Sequence, residues 1–308
     1  MKTQMVCLED GITSCGFRKM AAYVAQLEPE TESVYISTER YRSVKAAVRG
    51  MGDKGRMPDE QVDEIAQGLK GSDLVGFSSM TGYADLTHRV IKRLRELNPS
   101  TYIVWGGIHP IIQPEDAILG DVDAVCTGEG EFAFEELLQG LKEGRDVTKT
   151  KNFWFKQGGQ EIIKNHFLPL MTVQEMESLP FPQYGAPNEK IYLPGQGFVK
   201  TTVEDYLLND GLGYTTLWSI GCPFHCAYCG NTKFIANDAK YKRIRTPRAR
   251  RRRTTDKCAR RTLPPTSPGP HPTPSRSRRG VGHPSSWPRR ARCTRRPAWC
   301  RSSKRGGA

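Results

Sequence analysis

The sequence predicts an α/β fold with a doubly wound parallel sheet. Two features of the first 145 residues carry this reading. Short apolar or β-branched runs alternate with stripes of apolar residues at helical spacing, which is the βα repeat of a parallel sheet. Small and hydroxyl residues gather where the runs end, and open parallel sheets bind their ligands beyond the carboxyl ends of their strands.

The elements follow in order. Gln4–Leu8 is an apolar strand that breaks at Asp10-Gly11, and Phe17, Met20, Ala21, Val24 and Leu27 then mark a helix. Ser33–Ser37 is a second strand of β-branched and aromatic type. Asp59–Leu69 reads as a helix that starts behind Pro58. Leu74–Phe77 is a third strand and runs into Ser78-Ser79-Met80-Thr81-Gly82. Leu86, Val90, Ile91, Leu94 and Leu97 form the next helix stripe, stopped by Asn98-Pro99 because a residue before proline disfavours helical backbone. Tyr102–Trp105 is a strand ending on Gly106-Gly107, and Ala124–Cys126 is a short fifth strand ending at Gly128-Glu129-Gly130. Phe134, Leu137, Leu138 and Leu141 mark the closing helix, with Gly144 as its stop.

Beyond this, Phe153–Phe155 and Glu161–Ile163 flank Gly158-Gly159 and read as a hairpin. Pro180, Pro182 and Pro187 favour an extended connector, and Tyr214–Ile220 reads as a strand that leads into a cysteine loop at Gly221. The resulting division is 1–147, 148–210, 211–246 and 247–308.

Charge separates the last segment from the rest. The chain of 308 residues has a net charge of +13, yet residues 1–245 carry 27 Lys+Arg against 32 Asp+Glu. From Thr246 onward there are 19 Lys+Arg and one acid, Asp256. The segment is rich in Arg, Pro and Ser and has almost no apolar periodicity, so it cannot bury enough surface to offset its ordering entropy and is expected to be disordered. Two readings stand: a basic nucleic-acid tail, or a GC-rich gene translated out of frame after about codon 247, which the abrupt onset favours. The acidic body argues against nucleic acid as the main partner. With no signal-peptide core and no long apolar run, the expectation is a cytoplasmic chain off the membrane. Nine cysteines then point to buried thiols, a metal or a cluster rather than to disulfides.

Cys222-Pro-Phe-His-Cys226-Ala-Tyr-Cys229 is a C-x3-C-x2-C run. Three thiolates on one short loop can each bind one iron of a cubane cluster and leave the fourth iron open to a substrate. The competing reading is a zinc site completed by His225, Cys258 or another residue of the basic tail, although no second cysteine pair follows before that tail. Cys7 and Cys126 lie in strand-like runs and read as core residues.

Together with Trp105-Gly106-Gly107-Ile108-His109-Pro110 and Gly128-Glu129-Gly130-Glu131, this loop makes residues 1–245 resemble the cobalamin-binding radical S-adenosylmethionine (SAM) enzymes of methyltransferase type. The resemblance implies a flavodoxin-like cobalamin-binding domain followed by the start of a partial (β/α) barrel. It implies a [4Fe–4S] cluster on Cys222, Cys226 and Cys229, with Tyr228 beside SAM. Cobalamin contacts would come from Ser79, Thr81, Gly106, Gly107, Gly128 and Gly130. It also implies methyl transfer from methylcobalamin to an unactivated carbon or a phosphinate phosphorus of a small molecule, as in antibiotic biosynthesis, with a flavodoxin or ferredoxin as reductant. A cobalamin-dependent cyclase or oxidoreductase is the alternative enzyme reading, and a zinc-containing basic-tail nucleic-acid binder is the alternative outside enzymes. Two departures from the family pattern stand out. There is no Asp-x-His-x-x-Gly motif to ligate cobalt from below, and the glycine-rich SAM-binding segment of the barrel is missing.

Overall fold

The computed structural model describes residues 1–9, 11–37, 56–158, 161–210, 213, 215–217 and 219–246. The basic segment from residue 247, and with it both readings of that segment, lies outside the described residues.

Five parallel strands form the centre: β1 (Thr3–Glu9), β2 (Glu32–Ser37), β3 (Leu74–Ser79), β4 (Tyr102–Gly106) and β5 (Ala124–Cys126). The helices between and after them are α1 (Cys15–Leu27), α2 (Asp59–Leu69), α3 (Ala84–Leu97), the short α4 (Ile108–Ile112) and α5 (Pro114–Leu119), and α6 (Glu131–Lys142). The central order is β5-β4-β3-β1-β2, the doubly wound, flavodoxin-like order that the alternation predicts. It reverses direction between β1 and β3, which places a crevice at their carboxyl ends.

Both faces of the sheet are covered, so β1 is buried along nearly its whole length. Its side chains alternate between two cores. Val6 and Leu8 pack with α2 and α3 through Val62, Ile65, Val90, Ile91 and Leu94. Met5 and Cys7 pack with α1 and α6 through Phe17, Val24, Phe134 and Leu137. On the outer side of α3, Arg89 pairs with Asp59, and Arg93 pairs with Asp63 at 2.6 Å.

The same sheet continues past both edges. Strands β6 (Phe153–Gln157) and β7 (Glu161–Lys164) form the expected hairpin and add antiparallel to β5. After the short helix α7 (Val173–Ser178), β8 (Glu189–Leu193) adds parallel to β2, and β9 (Gly197–Lys200) pairs antiparallel with β8. The full order is β7-β6-β5-β4-β3-β1-β2-β8-β9, and α8 (Val203–Asp210) follows.

One expectation needs correction. The strand expected over Tyr214–Ile220 has no ladder among the described residues there, and its only pairing is an isolated antiparallel bridge from Ile220 to Arg245. A strand forms only where a neighbour satisfies its backbone groups, and no other described segment pairs with this one. The chain instead turns into α9 (Asn231–Asn237) and a 3-10 turn at Ala239–Lys242.

Candidate functional site

The turns that follow β3, β4 and β5 lie along the carboxyl edge of the sheet, on one side of that crevice. After β4 the backbone passes through Gly107 at φ +92° and ψ −167°, a region essentially confined to glycine. A Cβ there would lie 2.8 Å from both the amide nitrogen and the carbonyl oxygen of Ser79. The glycine thus lets the turns after β3 and β4 touch backbone to backbone. Gly106 differs, because a Cβ there would meet Cys126 Cβ at an ordinary 3.6 Å.

Ser79 itself is fully buried. Its hydroxyl oxygen accepts from the indole N–H of Trp105 at 3.0 Å and from the Thr87 hydroxyl at 3.1 Å, so the side chain faces the core. Thr81, in contrast, stands exposed at the end of β3. Met80 is 42 % exposed and Ile108 is 38 % exposed, which leaves apolar surface at the two strand ends.

The turn after β5 is tied down from both sides. The space beside Gly128 is filled by the Asn152 side chain, whose Cγ would be 2.7 Å from an added Cβ. Asn152 sits at φ +65°, donates to the Glu129 carbonyl at 2.7 Å and accepts from the Leu168 amide at 2.7 Å. The smallness of Gly128 therefore serves packing within the protein. Gly130 is looser, with Cys126 Sγ at 3.6 Å and Met20 Sδ at 3.8 Å from its added Cβ.

Glu129 connects this turn to the cysteine loop. Arg245 Nη2 donates to Glu129 Oε1 at 2.6 Å, and Arg245 Nη1 donates to the Met171 carbonyl at 2.8 Å. Both side chains are largely buried. The backbone of Arg245 exchanges two hydrogen bonds with Ile220, and the Cys222 amide donates to the Tyr241 carbonyl at 3.1 Å. Gly221, at φ +113°, passes against the Arg243 and Tyr241 carbonyls with no room for a side chain. The loop's far end reaches α4, where a Cβ on Gly230 would lie 2.7 Å from Ile112 Cδ1. The cysteine loop is therefore seated beside the turns after β4 and β5. Spacing alone gave no signal for the Glu129–Arg245 pair, because its members lie more than a hundred positions apart.

Cys222, Cys226 and Cys229 are unpaired and partly exposed, and Tyr228 beside them is 93 % exposed. Three free thiols on one loop suit a cubane, since each sulfur binds a different iron and the three need not converge on one point. Cys7 and Cys126 are buried, as expected. Burial pushes the Cys7 thiol well up and the Cys126 thiol up to about 12. Because the thiolate is the reactive form, iodoacetamide at pH 8 without denaturant should label Cys222, Cys226 and Cys229 and spare Cys7 and Cys126. Peptide mass spectrometry reads this directly, and early labelling of Cys126 would contradict its burial.

His109, from the Gly-Gly turn, is buried and lies over Trp105 with ring centroids 5.0 Å apart. Its Nε2 is 2.9 Å from Asp116 Oδ2, and burial holds its pKa below the usual imidazole value.

A doubly wound, flavodoxin-like sheet with a three-cysteine loop seated at its carboxyl edge defines the class of α/β protein to which the chain is compared. Residues 41–138 match the B12 binding domain family. The chain is similar to an uncharacterized methyltransferase of Pyrococcus horikoshii, PH0819, with 28 % identity over 183 residues, 58 % of this chain and 36 % of the relative. It is similar to the anaerobic magnesium-protoporphyrin IX monomethyl ester cyclase of Synechocystis, with 27 % identity over 53 % of this chain and 30 % of the relative. It is also similar to the cobalamin-dependent radical SAM methyltransferase TokK of Streptomyces tokunonensis, with 29 % identity over 54 % of this chain and 23 % of the relative. The fold is shared with the radical SAM methyltransferase TsrM of Kitasatospora setae, a structure with cobalamin and a [4Fe–4S] cluster bound. That match has a TM-score of 0.56 and 15 % identity over 84 % of this chain and 46 % of TsrM. The chain spans about a third or less of the curated relatives it matches. Among the described residues no helix is long and apolar enough to cross a membrane.

Proposed function

We propose that this chain binds cobalamin at the carboxyl edge of its sheet and a [4Fe–4S] cluster on Cys222, Cys226 and Cys229, and that it serves SAM-dependent methyl transfer to a small molecule. One observation carries the reading: the Glu129–Arg245 pair seats the cysteine loop beside the glycine crevice, so groups held by the two would be neighbours. When bound, the cluster supplies the electron that cleaves SAM, and cobalamin carries the methyl group. The protein's part is positioning. The three thiolates hold three irons and leave one open, and Tyr228 projects from the loop where SAM would bind. Thr81, Gly106 and Gly130 would line the crevice that receives cobalamin, while Gly107 and Gly128 hold its turns in shape against Ser79 and Asn152. Ser79 acts through its backbone contact with Gly107, since its hydroxyl is engaged in the core. The acceptor is an unactivated carbon or a phosphinate phosphorus in a secondary metabolite, and a flavodoxin or ferredoxin supplies the electron. The similarity to the ring cyclase of Synechocystis supports a second reading, radical cyclisation on the same two cofactors, and product analysis separates the two.

Anaerobic reconstitution should give about four irons per chain together with sulfide. The Cys222→Ala/Cys226→Ala/Cys229→Ala variant should lose all of that iron while still binding hydroxocobalamin. Full iron content in the triple variant, or one zinc per chain in place of iron and sulfide, would overturn the cluster assignment.

A further inference from the structure

The crevice and the cysteine loop leave one cluster of metal-ligating side chains unused. We propose that His88, His109 and Asp116 form a separate site for a divalent transition ion of the zinc class, on the face of the sheet covered by α3 and α5.

The three residues come from α3, α4 and α5, and together they offer two imidazole nitrogens and one carboxylate oxygen. Their ligand atoms lie within 4.8 Å of one another, and they are the one set of three among the described residues that does. Asp116 Oδ2 is 2.9 Å from His109 Nε2 and 3.2 Å from His88 Nε2. With bonds of about 2.0–2.2 Å to nitrogen and oxygen, ligand atoms around a tetrahedral ion stand roughly 3.3–3.5 Å apart. Two of the three edges therefore need to open by only a few tenths of an ångström, and the third needs the two imidazoles to turn toward each other.

The donors are held in place before any ion arrives. Trp105 takes His88 against its ring edge-on, with centroids 4.8 Å apart, and His109 lies tilted over it at 5.0 Å. The indole is itself fixed by its N–H bond to Ser79. His109 Nδ1 is buried with no protein partner, so no protein group commits its proton from that side. The ring can carry its proton on Nδ1 and present the Nε2 lone pair. The Asp116 side chain is 53 % exposed and that of His88 is 30 % exposed, which leaves an open side for ion entry and for a water as fourth ligand. A 2-His-1-carboxylate set with an open position suits zinc, iron(II) or cobalt(II) and is a poor set for magnesium or calcium, which prefer all-oxygen shells. The ion would lock α4 and α5 just behind the Gly107 turn. The alternative is a carboxylate that only bridges two imidazoles by hydrogen bonds.

The test uses the full chain carrying Cys222→Ala, Cys226→Ala and Cys229→Ala, so that the loop thiols cannot compete. After chelation, zinc(II) is titrated by calorimetry and cobalt(II) by visible absorption. The expected result is one equivalent bound, with a cobalt spectrum that lacks thiolate charge transfer. His88→Gln and Asp116→Asn are each expected to weaken binding at least about tenfold while leaving the circular dichroism unchanged. Both positions are partly exposed, so both variants should fold. Binding that is undetectable, unchanged in both variants, or accompanied by a thiolate band would overturn the site. Cobalamin and cluster loading do not enter this measurement, so its failure leaves the proposed function standing.

Discussion

Replacing Gly107 by valine is expected to cost on the order of 3 kcal/mol or more of folding stability, and cobalamin binding should fall with it. Two penalties combine at this position. The φ of +92° excludes β-branched side chains, and the added Cβ would sit 2.8 Å from the Ser79 backbone at the end of a central strand. Neither can relax without separating the turns after β3 and β4. Lost cofactor binding in this variant would therefore reflect a broken turn as much as a blocked site. Gly106→Ala separates the two effects. Its Cβ makes ordinary contact, so stability should change by less than about 1 kcal/mol. If Gly106→Ala folds normally and binds hydroxocobalamin weakly, the turn touches the cofactor directly. If Gly107→Val keeps wild-type stability in urea unfolding, the geometry assigned to the turn is wrong.

Central strands and long helices were legible because both faces of the sheet are buried by apolar residues at regular spacing. Val62, Ile65, Ala66 and Leu69 lie on the buried side of α2, and the helix begins at Asp59 as its sequence predicts. The outer strand β8 was hidden by its chemistry. Glu189 is buried there, paired with Arg18 at 3.0 Å, and Tyr35 and Tyr184 ring rings lie against the same guanidinium at 4.4 and 4.1 Å. Ile191 and Tyr192 do enter the two apolar cores, but a run that opens on a buried charged pair leaves only a short apolar signal, and the nearby prolines suggested only an extended path. Helix α7 could have been found from sequence, because Thr172 and Glu175 form a capping box with the T-x-x-E spacing. At the site, the glycines after β4 and β5 were legible as backbone needs, but their neighbours were not. That Ser79 closes on Gly107 and Asn152 on Gly128 depends on contacts between distant strands. The strand expected over Tyr214–Ile220 failed for a related reason: strand propensity supplies no partner.

Arg245→Met is expected to release the cysteine loop while leaving the central sheet intact. The pair with Glu129 is largely buried, so removing the guanidinium leaves a carboxylate with only the Met171 amide, at 2.7 Å, for compensation. Breaking a buried pair from one side typically costs about 3–5 kcal/mol. Here that cost should appear locally, because Arg245 also carries the bridge to Ile220 on which the Cys222 turn rests. Hydrogen exchange should accelerate at the amides of Ile220, Cys222, Tyr241 and Arg245 and stay slow in β1, β3 and β4. Iron retention after reconstitution should drop, although all three cysteines remain. Glu129→Gln keeps the shape of the acceptor and removes its charge, so it should show the same pattern more weakly. The double variant should cost less than the sum of the two, with a coupling of about 1–3 kcal/mol. If both single variants keep native protection at those four amides, the ion pair does not seat the loop, and the adjacency on which the proposed function rests must come from elsewhere.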